Sequence, residues 1–271
     1  MARPPWLGVI TRTAVSMNIQ VEALTHIFAN SKLQRTALTE INFEVKSGQF
    51  VALTGPSGCG KSTLLRLAGD LLQPTRGTIT LNGREPAEMR TAHEIAWMAQ
   101  SPALLPWLDA RQNVALAQRF IPVNRRPRLT VDQVLERVGL SDAAGAFPFT
   151  LSGGMQQRLA LARLLALEAS LWLMDEPFAA LDEISRERLT TELLDLWQPL
   201  HPTVLWVTHN IYEALRLADR ILVFSPSPGQ IAADLAIDLP RPRSEADPRF
   251  QQALAALRTA LGRTANAQVM Q

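Results

Sequence analysis

Gly55-Pro56-Ser57-Gly58-Cys59-Gly60-Lys61-Ser62-Thr63 has the spacing G-x-x-x-x-G-K-[ST] of a phosphate-binding loop, and its flanks fit that assignment. Upstream, Gln49 to Leu53 reads as a short buried strand, and downstream Thr63 to Ala68 reads as the start of a helix. A glycine-rich turn between these elements wraps phosphates with successive backbone N–H groups, and the helix N-terminus adds partial positive charge. Lys61 reaches the β and γ phosphates of a bound nucleotide, and the Ser62 hydroxyl is suited to Mg²⁺. The run Gly55, Pro56, Ser57, Gly58, Cys59, Gly60, Lys61, Ser62 and Thr63 therefore predicts a nucleoside triphosphate site.

The chain of 271 residues is 47% hydrophobic, enough for one large domain or two tightly joined subdomains. Its 27 basic and 25 acidic residues leave a formal charge of +2, a balance that does not argue for a nucleic-acid partner despite a sequence pI near 9.1. The basic cluster Arg125-Arg126-Pro127-Arg128 reads as a solvated loop. A single cysteine, Cys59, excludes an internal disulfide framework and fits a reducing compartment. Its small side chain is tolerated in the phosphate loop, which explains it as well as a redox role does. Met1-Ala2-Arg3-Pro4-Pro5-Trp6 lacks the apolar stretch and cleavage site of a secretory signal. The apolar run Leu159 to Met174 is interrupted by Arg163 and Glu168 and is not expected to span a bilayer, so membrane association is expected to come through a partner.

Along the chain, Asn18 to Leu24 and Leu38 to Val45 alternate apolar and polar positions and predict antiparallel strands with one solvated face. Thr78 to Leu81 and Glu94 to Met98 are further strands, and Leu104 to Leu140 has helical periodicity apart from a break at Ile121-Pro122 to Pro127. The pattern then resumes as helix Met155 to Leu167, strand Leu171 to Met174, helix Ile184 to Trp197, strand Thr203 to Val207, helix Ile211 to Leu217 and strand Ile221 to Phe224. Strands alternating with helices predict an α/β fold with a mainly parallel sheet covered on both faces. Phe250, Leu254, Leu257 and Leu261 predict a short amphipathic C-terminal helix, with a loose chain beyond Gly262.

Two further segments carry chemistry. Leu151-Ser152-Gly153-Gly154-Met155-Gln156-Gln157-Arg158 puts a hydroxyl and two glycines at the start of a helix, a capped N-terminus that also suits an anion. Leu171-Trp172-Leu173-Met174 delivers Asp175 and Glu176 to the carboxyl end of a strand, where ligands of an α/β sheet gather. Asp175 is suited to hold Mg²⁺ directly or through water, and Glu176 to orient or deprotonate an attacking water. Thr208-His209 places an imidazole at the same edge of the sheet.

The ordered set of these motifs, from about Asn18 to Pro242, resembles the ATP-binding subunit of ATP-binding cassette (ABC) transporters. Leu151 to Arg158 is similar to the ABC signature, just upstream of a Walker B strand. Gln100 is similar to the Q-loop glutamine, Ala180-Leu181-Asp182 to the D-loop, His209 to the switch histidine, and Phe28 is the candidate for the aromatic that stacks on adenine. The resemblance implies a RecA-like P-loop NTPase core with an antiparallel β subdomain and a helical subdomain inserted at about 101–165. In that reading 1–17 is an N-terminal extension, loose over its first dozen or so residues, 18–242 is the nucleotide-binding domain, and 243–271 is a C-terminal helix and tail. It also implies a head-to-tail pair of cassettes in which the phosphate loop of one subunit faces Ser152, Gly153 and Gly154 of the other. ATP and Mg²⁺ are then the bound species. Lys61 neutralises phosphate charge, and Ser62, Asp175 and Gln100 serve the metal. Glu176 acts on the attacking water, His209 contacts the γ-phosphate, and Asp182 lies at the subunit junction.

A single nucleotide-binding unit without membrane spans resembles an importer subunit served by separate permease chains and, indirectly, by a solute-binding protein. Its expected place is peripheral, at the cytoplasmic face of the inner membrane. Gln100-Ser101-Pro102-Ala103-Leu104-Leu105-Pro106-Trp107, Met174 to Asp182 and Leu239-Pro240-Arg241-Pro242-Arg243 are similar to the nitrate, sulfonate and taurine group of uptake ATPases, which also serves thiamine precursors. These motifs do not choose among such solutes. Leu104-Leu105-Pro106-Trp107 reads either as helical-subdomain core or as the edge of a groove for a permease helix. Three competing classes remain open: a cassette of an efflux or lipid-handling complex, a soluble cassette acting on nucleic acid or ribosomes, and a clamp that binds ATP without hydrolysis.

Overall fold

The computed structural model describes residues 16–29, 34–122 and 127–269. Strands β1 (Ile19–Ala29), β2 (Gln34–Val45) and β4 (Arg76–Leu81) form an antiparallel sheet in the order β2-β1-β4. Alternate residues of β1, among them Ile19 and Val21, are buried while Gln20 and Glu22 are exposed, as expected of a sheet with one wet face. A second sheet has the order β5-β6-β7-β3-β8-β9. It contains β3 (Phe50–Thr54), β5 (Ile95–Met98), β6 (Leu171–Asp175), β7 (Thr203–Val207) and β8 (Arg220–Phe224), all parallel, with β9 (Ile231–Ala236) antiparallel at the edge. The sequence reading did not anticipate β9, nor the short helix α2 (Pro86–Thr91).

Strand alternation divides the interior in two. Phe50 and Ala52, Trp172 and Met174, and Val204 and Trp206 enter one core, shared with the inserted helices and the C-terminal half. Val51 and Leu53, Leu171 and Leu173, and Leu205 and Val207 enter the other, beneath the antiparallel sheet and helix α1 (Lys61–Ala68). Period-2 side chains on a strand buried on both faces require this arrangement, which explains the continuous apolar runs of β3, β6 and β7.

The inserted unit is helical in two pieces, α3 (Ala110–Gln118) and α4 (Val131–Arg137), packed on α5 (Gly153–Ala166). Both α3 and α4 begin with a capping box, Asp109 with Gln112 and Thr130 with Gln133. The expected helical character from Leu104 is corrected, because 104–109 is an irregular loop. The wholly buried Asn113 holds that loop, its amide donating to the carbonyls of Leu105, Leu108 and Asp109 while its oxygen accepts from Leu105 N. Trp107 on this loop is 69% exposed, and Phe147 and Phe149 stack on one another at the surface. In the cluster 125–128, Arg125 and Arg126 lie outside the described residues, whereas Arg128 pairs with Glu168 at 3.6 Å.

Helices α6 (Glu183–Leu200) and α7 (Ile211–Leu217) flank β7, and the chain ends in α8 (Pro248–Val269). The loose chain expected beyond Gly262 is corrected: α8 continues to Val269, and its Phe250, Leu254 and Leu257 are buried in the larger core. Arg241 and Arg243 satisfy the carbonyl end of α7. The Arg241 guanidinium donates to Leu217 O, pairs with Asp219 at 2.8 Å and lies 4.7 Å over the Trp197 ring; that of Arg243 donates to Leu215 O and Ala218 O. Burial and the neighbouring Arg241 charge lower the Arg243 pKa to about 10.

At the other terminus, Met17, the last residue of the expected N-terminal extension, packs against the parallel sheet. Met17 is fully buried, and its amide donates to Thr203 Oγ1 at 3.1 Å while that hydroxyl donates back to Met17 O. Of the rest of the extension, Ser16 meets Ser47 side chain to side chain at 2.6 Å, and 1–15 lies outside the described residues. Thr203 Oγ1 also accepts from Gly48 N at 2.9 Å. Replacing Thr203 by Val removes the acceptor and strands two buried N–H groups, so we expect a loss of about 2–4 kcal/mol. A thermal melt should then fall by roughly 5–15 °C; an unchanged midpoint would mean that the Met17 segment is not tied down in solution.

Candidate nucleotide site

The phosphate loop joins β3 to α1. Gly60, at φ 102°, occupies the N-cap of α1, and a Cβ there would lie 2.6 Å from Leu38 Cδ2 and 2.8 Å from Ala37 O. Only glycine meets both the left-handed backbone and the close approach of β2. The loop backbone is thus pressed against the antiparallel sheet on one side. Lys61 is buried, and its ammonium donates to Gly55 O and Pro56 O at 2.9 Å each, which holds it at the loop's mouth. Cys59 is wholly buried, its Sγ 3.5 Å from Lys61 Nζ, and it acts as a small packing residue of the loop.

Strand β6 brings the acidic pair alongside. Asp175 Oδ1 accepts from Ser62 Oγ at 2.7 Å, joining residues 113 apart in sequence. Burial raises the Asp175 pKa, against the lowering effects of the Ser62 hydrogen bond and of the Arg66 charge. A hydroxyl and a partly desolvated carboxylate this close are hard oxygen donors, and a cation there would relieve the desolvation of Asp175; the pair fits Mg²⁺. Among the described residues no cluster of three or more His, Cys, Asp or Glu offers a different metal site.

Glu176 sits at φ 47°, its amide bonded to Val207 O at 3.0 Å, so the chain turns sharply as it leaves the strand. That turn aims the carboxylate along the sheet edge toward His209, whose Nδ1 lies 3.3 Å from Glu176 Oε2. The second residue after it, Phe178, packs edge-on to Trp206 at 5.3 Å and fixes the turn to the core.

A cleft of about 260 Å³ opens beside the loop, lined by Ser57, Gly58, Gly60, Lys61, Ser62 and Thr63, by Glu176, and by Phe28, Arg35 and Ala37 from the antiparallel sheet. Phe28 is 42% exposed and stands edge-on to His26 with its free face available. The sequence reading missed Arg35, which pairs with Phe28 across β1 and β2 and whose guanidinium donates to Gly58 O at 3.4 Å. Nothing local identifies it, because the strand register that brings it there is a tertiary property.

The other predicted residues lie elsewhere. Ser152 caps α5, its Oγ accepting from Met155 N at 3.3 Å, and a Cβ on Gly153 or Gly154 would meet nothing within 4 Å. None of the three lines the cleft. Gln100 is exposed and contacts α5 through its carbonyl, which accepts from Gln157 Nε2 at 3.3 Å. Asp182 caps α6, accepting from Ser185 N at 3.0 Å, and that bond keeps its pKa below the ordinary range.

Residues 38–179 match the protein family described as ABC transporter. The chain belongs to the ABC transporter family. Among its relatives, the nitrate import ATP-binding protein NrtD of Synechococcus elongatus is 38% identical over 260 residues, covering 90% of this chain and 93% of that one. The taurine import ATP-binding protein TauB of Mesorhizobium japonicum is 46% identical over 196 residues, covering 72% and 76%. A solved structure described as the dimeric post-hydrolysis state of the ATP-binding cassette MJ0796 bound to ADP and Pi superposes with a TM-score of 0.72 at 30% identity, over 82% of this chain and 99% of that one. The expected fold is thereby met: this is an ABC-type ATPase cassette, with its phosphate loop and acidic strand end brought together and the helix start at Ser152 outside the cleft. No helix among the described residues is long and apolar enough to cross a membrane.

Proposed function

We propose that this ABC cassette hydrolyses ATP within a head-to-tail pair of cassettes, and that the pair energises uptake of a small solute through separate permease chains. The observation that carries the reading is the division of the site. One chain has two helix starts suited to phosphate, of which the first lines the cleft while Ser152-Gly153-Gly154 does not, with open space around its glycines. A second cassette is the simplest occupant that brings the two together, and the dimeric cassette structure with which the chain superposes supports this.

In this reading the adenine stacks on Phe28 and the phosphates lie along the loop, with Lys61 exchanging the Gly55 and Pro56 carbonyls for β and γ oxygens. Ser62 and Asp175 would hold Mg²⁺, which supplies charge neutralisation at the phosphates, and Gln100 is assigned to the same metal by the family resemblance. Glu176 orients the attacking water and takes its proton, and His209 steadies the Glu176 carboxylate and contacts the γ-phosphate. Asp182 meets the partner cassette. Import is favoured by the nitrate and taurine import relatives, and the solute class is that of nitrate, sulfonates, taurine or a similar small molecule. A binding protein would deliver the solute to the permease, and the cassette would sit at the cytoplasmic face of the membrane.

The test is to tag the full chain in its native host, purify it from detergent-solubilised membranes and identify its partners by mass spectrometry. A multi-spanning permease is expected. Recovery only with soluble proteins or nucleic acid would leave the ATPase standing and overturn the importer.

A further inference from the structure

Arg186 joins three segments that hydrolysis needs in register. Its Nη2 donates to Leu181 O at 2.6 Å and its Nε to Phe178 O at 3.4 Å, so one guanidinium grips the turn that follows Glu176 and leads to Asp182. The same Nε lies 3.6 Å from Glu213 Oε1 on α7. Glu213 Oε2 accepts from Thr208 Oγ1 at 2.6 Å, and Thr208 Oγ1 in turn accepts from Asn210 N at 2.9 Å, so the hydroxyl brackets His209 from both sides. The niche enclosed by Glu176, Arg186, Thr208, His209 and Glu213 is too tight to admit a water molecule, so these contacts transmit position directly.

Stability alone does not explain this arrangement. Arg186 and Glu213 are both largely buried, and burial dominates the environment of Glu213, raising its pKa despite Thr208 and Arg186. Apolar residues of similar volume commonly stabilise such a place as well or better. What the pair adds is geometry: a planar fork with fixed directions, which a lysine ammonium does not reproduce.

We propose that Arg186 is a positioning residue for ATP hydrolysis, which through Glu213 and Thr208 on one side and the Phe178 to Leu181 turn on the other fixes His209 relative to Glu176. This rests on the hydrolytic reading above, in which Glu176 and His209 act on one γ-phosphate. Because the polar partners of Arg186 are Phe178 O, Leu181 O, Glu183 and Glu213 rather than Glu176 or His209, and it does not line the nucleotide cleft, its removal leaves that cleft intact and misplaces the groups that act on the attacking water.

The test uses the full chain in two variants, Arg186→Lys and the paired change Arg186→Met with Glu213→Leu, the latter removing the buried charges together. We expect both to keep their melting temperature and their KM for ATP within threefold, while kcat falls by about 10- to 100-fold, the effect of a misplacement near 1 Å. The chain has four histidines, so the ring signal of His209 is identified in NMR spectra by its loss on substitution. It should shift in Arg186→Lys while that of the distant His201 does not. A kcat within threefold of the parent in a folded variant, a parallel loss of ATP binding, or an unmoved His209 signal overturns the proposal. Glu176→Gln run beside them separates the two readings. If that change leaves turnover intact, the assignment of the base fails by itself, and the His209 signal still decides the role of Arg186.

Discussion

Glu176→Gln is expected to lower ATP turnover by about 10²- to 10⁴-fold with ATP affinity unchanged, the range attached to a positioned general base. That corresponds to about 3–5.5 kcal/mol of transition-state stabilisation. The substitution is nearly isosteric, so the turn at φ 47°, the amide bond to Val207 O and the anchoring of Phe178 against Trp206 should survive. What disappears is the proton acceptor at the sheet edge and its charged partner for His209. The phosphate loop, Lys61 and the Ser62–Asp175 pair are untouched, so nucleotide should bind as before. Phosphate release gives turnover, and equilibrium binding of ATP gives affinity. With ATP added, the variant should also accumulate as a dimer by light scattering, because closure is retained and the step that reopens it is blocked. Near-normal phosphate release would remove Glu176 from the role of base.

Gly229→Ala is expected to lower ATP affinity at least tenfold and stability by about 2–4 kcal/mol, although residue 229 does not itself line the cleft. The connection between β8 and β9 is pressed onto the phosphate loop: a Cβ at 229 would stand 1.9 Å from Cys59 O, a distance no real contact reaches. The hairpin has little freedom to withdraw, since Gly229 N donates to Ala37 O at 2.9 Å and Gly229 O accepts from Thr39 N at 3.0 Å. Either those bonds break or the loop moves, and the loop carries Lys61 and Ser62. Gly145→Ala is the control, because a Cβ there meets nothing within 4 Å, and it should stay within about 0.5 kcal/mol of the parent in urea unfolding. Unchanged ATP affinity in folded Gly229→Ala would mean that the loop accommodates the displacement and that the hairpin does not shape the site.

The two predictions differ in what the chain reveals of them. Glu176 ends an apolar strand, and the phosphate loop is a contiguous strand, turn and helix, so each announces its chemistry within about ten residues. Gly229 gains its meaning from Cys59, 170 positions away, and Arg186 from Glu213 on a different helix. Strand β9 escaped notice because an edge strand reading Ile231-Ala232-Ala233-Asp234-Leu235-Ala236 has weak alternation and no strong β-branched content. Helix α8 outran the expected stop at Gly262 because a glycine costs a helix only about 1 kcal/mol, which the burial of Phe250, Leu254 and Leu257 offsets.

By itself the sequence determined the α/β class, the phosphate loop, the acidic strand end and the order of the remaining motifs, since these depend on local periodicity and on short spacings that chemistry dictates. Only the tertiary structure decided which of those residues meet. It joined Ser62 to Asp175, brought Phe28 and Arg35 over the loop, set Glu176 beside His209 and left Ser152-Gly153-Gly154 outside the cleft. Such pairings follow from strand order and register, which arise when two cores are packed at once from residues far apart in the chain.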